Sequence, residues 1–467
     1  MVEPKSIVKT VFFALVLDLL AFTIPLPLFP RLTAWYLTLD SSPNSLLSNL
    51  LYISRKWRST LLSLSSTTGY VTDGDDQGKK EWDVVLLGGA MGSLFSLCQC
   101  IISPYLGRLS DKYGRKKVLL ATMIGNLLSA IIWIQSTSFA SFLLSRLVGG
   151  LSEGNVQLST AIISDVTTSS TRSKSLALVG IAFSICFTLG PSLGAYFASR
   201  PIPLTTSTSK DKLNIYALPA TISLVLLLVE TIFLAVKLPE TKGWKKDDTS
   251  IEEKKADGQK GLSVEEKLNK LKIVGRLHGL FLLFFSGAEF TLTFLTYDLF
   301  SATNAQNGRL LSYIGILSAI LQARHVRPSL TRLGEIRLAS YGILSCIIAL
   351  SLLSILPFSS ILSNPSMSTL VLYGSATCLA YTSATVVTGL TSSAASLVDE
   401  SHPLLQRGRA LGGFRSRGQL GRAVGPLLAS SIYWIKGPSI AYIGLASCLS
   451  IVWFITNKHV EKRKKIE

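Results

Sequence analysis

Long apolar runs alternate with short polar segments along the whole chain. A run of about 20 apolar residues is long enough to cross the hydrocarbon core of a bilayer as a helix. The predicted spans are 7–30, 83–106, 118–135, 140–165, 175–198, 214–237, 273–299, 309–324, 337–357, 368–397, 409–434 and 439–456. The pattern therefore predicts an all-α polytopic membrane protein with twelve transmembrane helices, of which the eighth is the shortest.

One charged segment divides these spans into two sets of six. Segment 238–272 is rich in Lys, Glu and Asp, which predicts a cytoplasmic linker with a helix over 263–272. It separates an N-terminal six-helix bundle, 1–237, from a C-terminal one, 273–467. A second long polar stretch, 31–82, is predicted to be an external loop of the first bundle.

Short repeats indicate that the two bundles are related by pseudo-symmetry. Gly-Pro-Ser-Leu-Gly at 190–194 is echoed by Gly-Pro-Leu-Leu-Ala at 425–429, and 109–115 aligns with 330–335. Transporters built from two related halves bind substrate near the bilayer midplane, and rocking of the halves gives alternating access. The sequence predicts this architecture.

Composition supports a membrane protein and argues against a nucleic-acid partner. The chain has 467 residues, of which 48% are hydrophobic and 16% charged. The net charge of +18 comes from cations in short segments between apolar runs, without the aromatic interleaving of a nucleic-acid surface. Because cations mark cytoplasmic loops, both termini are predicted to be cytoplasmic. The sequence does not distinguish the plasma membrane from a vacuolar or lysosomal type of membrane.

The cysteines suggest neither a disulfide framework nor a metal site. All six lie within apolar runs, where packed free thiols are expected. We predict no cofactor and no metal.

Ionisable side chains inside the spans are candidates for function, because burying charge at membrane depth costs free energy. Asp18 lies midway along the first span. It either stabilises the fold through one buried ion pair or forms a proton or cation site facing a central cavity. The sequence leaves both interpretations open.

The fourth span carries a polar stripe. Arg146, Gly150, Glu153 and Gln157 are spaced four, three and four residues apart, which places them on one face of a continuous helix. Such a face points to protein interior or a water-filled cavity. Arg146 is expected to pair with Asp18 or with Glu153, and the spacing does not decide between them.

The remaining intramembrane charges lie in the second bundle and in the sixth span. Glu289 is predicted to be functional, Asp298 to be interfacial, and Glu230 to be interfacial or structural. Arg422 either binds an anionic substrate or neutralises an internal acid. Arg415 lies closer to the cytoplasmic end, a position compatible with snorkelling.

The basic segment 107–120 joins the second and third spans, and a cytoplasmic turn is predicted over 107–117. Its glycines permit a tight turn, and its cations favour the cytoplasmic side. The predicted cytoplasmic gate consists of Gly107, Asp111, Gly114, Arg115 and Asp165.

Two contacts are predicted for this gate. Asp165 closes the fourth span on the cytoplasmic side, level with Arg115, so the two are expected to meet. The Asp111 carboxylate is expected to interact with the partial positive charge at the N-terminus of the eleventh helix, near Gly412 and Gly413.

The pattern Gly-x-Ser-x-Gly occurs at 150–154 and 190–194 and is also the nucleophile elbow of hydrolases. That elbow requires a preceding strand, whereas both matches lie inside apolar helices. We therefore predict no enzymatic activity. Close helix packing and kinking are predicted at Gly190, Pro191, Gly194, Gly425 and Pro426.

These segments resemble the drug:proton antiporter branch of the major facilitator superfamily over the full chain. The resemblance lies in the loop 107–117, Arg146 with Gly150, the segment 180–194, Asp18 with its following prolines, and 238–241. A more specific resemblance is to eukaryotic tetracycline-transporter-like (TETRAN-like) proteins. It lies in 17–23, 145–162, 285–292 and 425–434.

The resemblance implies a transporter of small organic solutes, organic anions or drug-like compounds, exchanged for protons. Asp18, Glu153 and Glu289 are the predicted proton or cation carriers, and Arg146 and Arg422 the predicted charge partners or anion contacts. The expected partners are the cargo, protons and the lipid bilayer, and a monomer is expected. An uncoupled facilitator of the same fold and a non-transporting scaffold or receptor are the alternatives.

Overall fold

The computed structural model describes residues 3–25, 28, 32, 35–36, 45–63, 76–198, 217–244 and 262–464, which contain helices and no strand. The first half contains α1 Pro4–Thr23, α2 Leu46–Ser63, α3 Asp76–Tyr113, α4 Arg115–Ile134, α5 Phe139–Ser152, α6 Asn155–Val166, α7 Ser169–Ala198 and α8 Ala217–Lys237. The second half contains α9 Val264–Phe300, α10 Asn304–Leu321, α11 Arg327–Leu333, α12 Glu335–Ile355, α13 Ser359–Leu362, α14 Pro365–Ser396, α15 Arg407–Lys436 and α16 Pro438–Lys464. A π-helical turn, Gln322–Val326, joins α10 to α11.

Each predicted span corresponds to a helix or to a pair of helices. Nine helices in the described part of the chain are long and apolar enough to cross a membrane. The other three predicted spans depart from that pattern for local reasons. The fourth span is divided into α5 and α6, the eighth (α10) begins with polar residues, and the eleventh (α15) carries several arginines.

The basic segment between the second and third spans is mostly helical, so the predicted turn over 107–117 is too long. α3 continues through Tyr113, and α4 begins at Arg115. Gly114 alone breaks the helix, with a φ of 106° that glycine adopts without steric cost. Gly334 has a φ of 83° at the equivalent junction between α11 and α12. Because one glycine suffices, the helix-favouring Arg, Leu and Lys residues before it remain helical.

The described parts of the two long polar stretches contain helices. The predicted external loop 31–82 includes α2, which the sequence analysis missed. The helix predicted over 263–272 is confirmed, because the Ser263 hydroxyl caps α9 by accepting from the Glu266 N–H at 3.2 Å. Residues 245–261 of the linker lie outside the described residues.

The most extensive contacts between the halves are those of α3 with α15 and of α7 with α10. Glycines permit this close approach. A Cβ added to Gly412 would lie 2.6 Å from the Ser103 carbonyl oxygen, and one added to Gly315 would collide with Thr188. We call the end of the bundle that carries Gly114 and Gly334 the basic end, and the other the opposite end.

Glycines at the predicted packing positions also lie against neighbouring helices. Gly190 abuts Thr23, and Gly194 abuts the Ile24 carbonyl, so α7 lies close against α1. Gly425 abuts the Leu283 carbonyl of α9. α7 and α15 continue as helices through Pro191 and Pro426, respectively.

Candidate functional site: a charged cavity and a latch between the halves

A cavity of about 540 Å³ lies between the halves and is lined by helices from both. Its ionisable lining side chains are Asp18, Glu153, His278, Glu289, Arg415 and Arg422. Its aromatic lining side chains are Phe22, Phe95, Phe183, Phe187, Phe281, Phe285 and Phe414. The walls therefore combine a large apolar surface with charges of both signs, which suits an amphipathic organic ion.

Asp18 is held by α6 and not by an arginine. Its side chain is 3% exposed, and its Oδ1 accepts a hydrogen bond from the Asn155 side-chain amide at 2.6 Å. Asn155 also reaches the Met123 sulfur at 3.1 Å. Among the described residues no lysine or arginine lies within ion-pair distance of Asp18. The predicted ion pair between Arg146 and Asp18 is therefore wrong.

A helix break places Glu153 in the cavity. α5 ends at Ser152, and Glu153 adopts an extended backbone with a ψ of 101° before α6 begins at Asn155. The single polar face predicted from Arg146 to Gln157 assumed a continuous helix, and the break divides it. Glu153 and Gln157 line the cavity, and the Gln157 amide donates to the Ser103 carbonyl oxygen at 2.8 Å.

Arg146 lies outside the cavity lining, close to the opposite end. Its guanidinium carbon is 5.4 Å from the ring centre of Trp133 and 5.5 Å from that of Phe142. It also donates to the Ser145 hydroxyl at 3.3 Å. These contacts with aromatic faces favour a cation there, and the predicted pairing with Glu153 is absent from the described contacts.

Arg415 takes the place that the sequence analysis assigned to Arg146. Its charge acts on both Asp18 and Glu153 across the cavity. The predicted snorkelling position is wrong, because Arg415 lines the cavity together with Gln419 and Arg422 on α15. Their spacing of four and three residues puts them on one helical face, a signal present in the sequence.

The second half contributes a further ionisable pair and a histidine. The charge of Arg422 acts on Glu289 within the cavity. His278 was not predicted. It is 5% exposed and stacks on Phe414, with ring centres 4.2 Å apart, and its Nδ1 has no hydrogen-bond partner among the described residues. His278 is therefore a polar group that a cargo could satisfy.

Asp298, predicted to be interfacial, and Glu230, predicted to be interfacial or structural, lie outside the cavity lining. Glu230 on α8 is 1% exposed, and its Oε2 finds no hydrogen-bond partner in the described residues. Asp298 accepts a hydrogen bond from the Tyr433 hydroxyl at 2.6 Å. Asp298 thus joins α9 to α15, while Glu230 is buried and is not interfacial.

A network at the basic end connects the two halves, and we call it the latch. Its members are Asp111, Arg115 and Asp165 of the first half and the first residues of α15 in the second. Arg115 is 2% exposed and forms ion pairs with Asp111 at 2.6 Å and with Asp165 at 3.0 Å. The predicted contact between Arg115 and Asp165 is therefore present.

α15 completes the latch through its N-terminus. The Gly408 and Arg409 backbone N–H groups donate to the Asp111 carboxylate at 2.8 and 2.7 Å, as a helix N-terminus does to an anion. The Arg407 side chain donates to Asp165 at 2.5 Å. This contact with Asp111 lies one helical turn before the predicted Gly412, which instead packs against α3.

The end of the sixth span is also tied to this network. The Glu240 carboxylate accepts from the Arg115 and Lys116 backbone N–H groups at 2.7 and 3.2 Å, so it caps α4. The Thr241 hydroxyl donates to Asp165 at 3.2 Å. This Leu-Pro-Glu-Thr segment, 238–241, is part of the family resemblance, but its cap on α4 was not predicted from the sequence.

A sequence profile for the Major Facilitator Superfamily matches residues 11–402. The chain belongs to the Major Facilitator Superfamily. Within it, major facilitator superfamily domain-containing protein 10 of Mus musculus is 31% identical over 475 aligned positions, which cover 97% of this chain and 92% of that protein. The human protein of that name is 32% identical over 474 positions, with 97% and 93% covered.

A solved structure of this superfamily has the same fold. The crystal structure of the human organic anion transporter MFSD10 (TETRAN) matches with a TM-score of 0.78 at 30% identity, covering 98% of this chain and 100% of that one. Multidrug resistance protein 2 of Bacillus subtilis is 37% identical over 117 positions, 24% of this chain and 29% of that protein.

These findings confirm the fold and family predictions. This major facilitator chain is a multi-pass membrane protein and a transporter of small solutes, and its family is not an enzyme family.

Proposed function

We propose that the chain carries organic anions and amphipathic drug-like compounds by alternating access, with proton binding at Asp18 and Glu153 coupled to cargo binding. The observation on which this proposal rests is the position of Arg415. It lines the same cavity as Asp18 and Glu153, and its charge acts on both. The human relative of known structure, described as an organic anion transporter, supports the cargo class.

The cavity charges link cargo to protons. When Glu153 and Asp18 are ionised, their carboxylates attract the Arg415 guanidinium. When they are protonated, Arg415 and Arg422 are available to a carboxylate or sulfonate of the cargo. An anion and a proton therefore bind together, and by reciprocity each raises the affinity for the other.

A cation reverses this linkage. A cationic cargo competes with the proton for the same carboxylates, which is the requirement for antiport. The exchange for protons implied by the antiporter resemblance thus applies to cationic drug-like cargo. The direction of proton coupling depends on cargo charge because both signs of charge line one cavity.

Several further features belong to this proposal. The chain acts as a monomer with the basic end and both termini in the cytoplasm, and the segment 238–272 links bundle 1–237 to bundle 273–467. The cation-rich junctions at Gly114 and Gly334 support this orientation. The latch closes the cytoplasmic side while cargo exchanges at the opposite end.

Transport by the purified full chain in liposomes with an imposed pH gradient tests the proposal. An aromatic sulfonate and an aromatic quaternary ammonium ion serve as cargo, because neither crosses bilayers by losing its charge. We expect the sulfonate to move towards the alkaline compartment and the ammonium ion towards the acidic one.

The matched variants separate coupling from transport itself. Asp18→Asn and Glu153→Gln should abolish the response to the gradient while equilibrium exchange continues, and the exposed Glu265→Gln should behave as wild type. Saturable flux of both cargoes that ignores the pH gradient would make the chain an uncoupled facilitator. No saturable flux would favour a scaffold or receptor.

A further inference from the structure

Helix α2, in the long polar stretch of the first half, packs against the opposite end of the bundle through one face. Leu47 and Leu51 are 0% and 6% exposed and belong to a core that includes Trp133, Phe139 and Phe142. The helix contacts α3 and α5 of the first half and α15 of the second. This face accounts for how α2 is held, but not for its remaining apolar residues.

A second apolar stripe on α2 faces away from the protein. Leu46, Ile53 and Trp57 are 43%, 61% and 56% exposed. Their spacing of seven and four residues places them on one side of the helix. A Trp and an Ile exposed to water would be costly, since burying such a side chain is worth roughly 1.5–3 kcal/mol.

The charge of α2 indicates what covers this stripe. The sequence of Leu46–Ser63 contains Arg55, Lys56 and Arg58 and no aspartate or glutamate. Arg55 and Lys56 are exposed. In the described part of the chain no other segment covers Ile53 and Trp57, which remain accessible. An apolar stripe with aromatic residues and flanking cations is typical of helices that lie in the interface of a bilayer.

We propose that α2 is an interfacial helix that binds the lipid leaflet at the opposite end of the bundle. Ile53 and Trp57 enter the boundary between headgroups and acyl chains, and Arg55 and Lys56 contact lipid phosphates, most strongly those of anionic lipids. Because α2 touches both halves, bound lipid also braces them on that side. The position of the helix at one end of a membrane-spanning bundle puts this stripe within reach of the leaflet.

The depth of Trp57 tests the insertion. The full chain is placed in nanodiscs whose lipids carry bromine either near the glycerol or near the chain end, and tryptophan emission is compared for wild type and Trp57→Phe. The difference isolates Trp57 from the other tryptophans. We expect the Trp57 component to be quenched at least twofold more by the shallow bromine than by the deep one. A component that emits as in water and is quenched by neither would overturn the proposal.

A second measurement tests the headgroup contact. Melting is followed in nanodiscs with and without about one-third anionic phospholipid, for wild type and for Arg55→Gln/Lys56→Gln. We expect anionic lipid to raise the melting temperature of wild type by a few degrees and the variant to lose at least half of that rise. Lys112→Gln at the basic end serves as the matched control. It should keep the part of the rise in melting temperature that Arg55→Gln/Lys56→Gln removes.

Two other results would also overturn the proposal. One is an equal lipid shift in the α2 variant and wild type. The other is dimerisation that Ile53→Ser and Trp57→Ser abolish, which would show that a second copy of the chain covers the stripe. Neither test depends on transport, so failure of the proposed function leaves this inference intact.

Discussion

The junctions at Gly114 and Gly334 have the same backbone and different chemistry. The two glycines have φ and ψ of 106° and 154°, and of 83° and 155°. In the first half, Asp111 accepts three hydrogen bonds, one from Arg115 and two from the start of α15. In the second half the aligned residue is Thr331, whose hydroxyl donates to the nearby Pro328 carbonyl at 2.9 Å.

Each junction contacts the other half, but with different strength. Buried ion pairs and charged hydrogen bonds hold the first-half junction to α15. At the second, Glu335 accepts from the Ser173 hydroxyl of α7 at 2.5 Å and from Ser396 at 3.4 Å. The two junctions thus share the same turn, whereas the buried ion pairs lie at the first. We infer that breaking the first contact opens the basic end, whereas breaking the second has a smaller effect.

The largest expected effect comes from Asp111→Asn. An amide keeps part of the hydrogen bonding but loses the charge, which costs about 1.5–3 kcal/mol and raises the open population roughly ten- to hundredfold. Cys100 reports opening, because its sulfur lies 3.5 Å from the Ser416 hydroxyl between α3 and α15. Its alkylation rate should rise accordingly.

The matched control is Thr331→Val, which should leave the alkylation rate of Cys100 within about twofold of wild type. Cys100→Ser assigns the signal to this thiol. Equal rates in wild type and Asp111→Asn would mean that the junction serves only as a topology signal.

Arg407→Gln should have an intermediate effect. It removes the contact between α15 and Asp165, while Arg115 still pairs with Asp165. We expect a three- to tenfold rise in Cys100 alkylation, about 1 kcal/mol. A rise as large as that of Asp111→Asn would place the strength of the latch in the arginine and not in the N-terminus of α15.

Glu335→Gln should have a small effect, because the amide oxygen still accepts from the Ser173 hydroxyl. We expect less than a twofold change in Cys100 alkylation and in transport rate. An effect equal to that of Asp111→Asn would remove the difference between the two junctions.

The smallest effect concerns the loop that leads into α15. The hydrogen bond from Lys267, whose nitrogen lies 2.8 Å from the Asp399 carboxylate, lowers the pKa of Asp399 to about 2. Because this pKa is below its unfolded value near 3.9, the pair stabilises the fold above about pH 4. That contribution is lost as the pH falls towards 2.

The variant Asp399→Asn should therefore melt at a slightly lower temperature than wild type at pH 6. The loss in the free energy of unfolding should be less than about 1 kcal/mol, since the pair is partly exposed. The two melting curves should converge as the pH approaches 2. A gap between them that stays constant from pH 6 to pH 2 would contradict this assignment.

Apolar length was sufficient to predict nine of the spans, because a helix is the one way for an open chain to satisfy its backbone within lipid. The latch acids were also predictable, since their order along the chain fixes the end at which they lie. The break at Glu153 was not predictable from periodicity, which assumes a continuous helix. A continuous helix would place Arg146 on the same face as Glu153, so Arg146 and not Arg415 was expected to face Asp18 and Glu153.

Other errors share a cause in long-range packing. α2 was missed because it lies within a long polar stretch and divides its apolar residues between the bundle face and the outer stripe. The cap on α4 comes from Glu240, which is distant in sequence, and no local pattern announces it. Local sequence determined where the helices form and at which end of the bundle each charge lies, whereas helix packing determined which charges meet.

Proton uptake on cargo binding tests the central claim most directly. Purified protein in weakly buffered solution near neutral pH is titrated with the aromatic sulfonate while proton exchange is recorded. Because bound anion draws Arg415 from the acids, we predict uptake of up to about one proton per sulfonate bound. Glu153→Gln should reduce this uptake, and Glu265→Gln should not. Saturable sulfonate binding without any proton uptake in wild type would contradict the account.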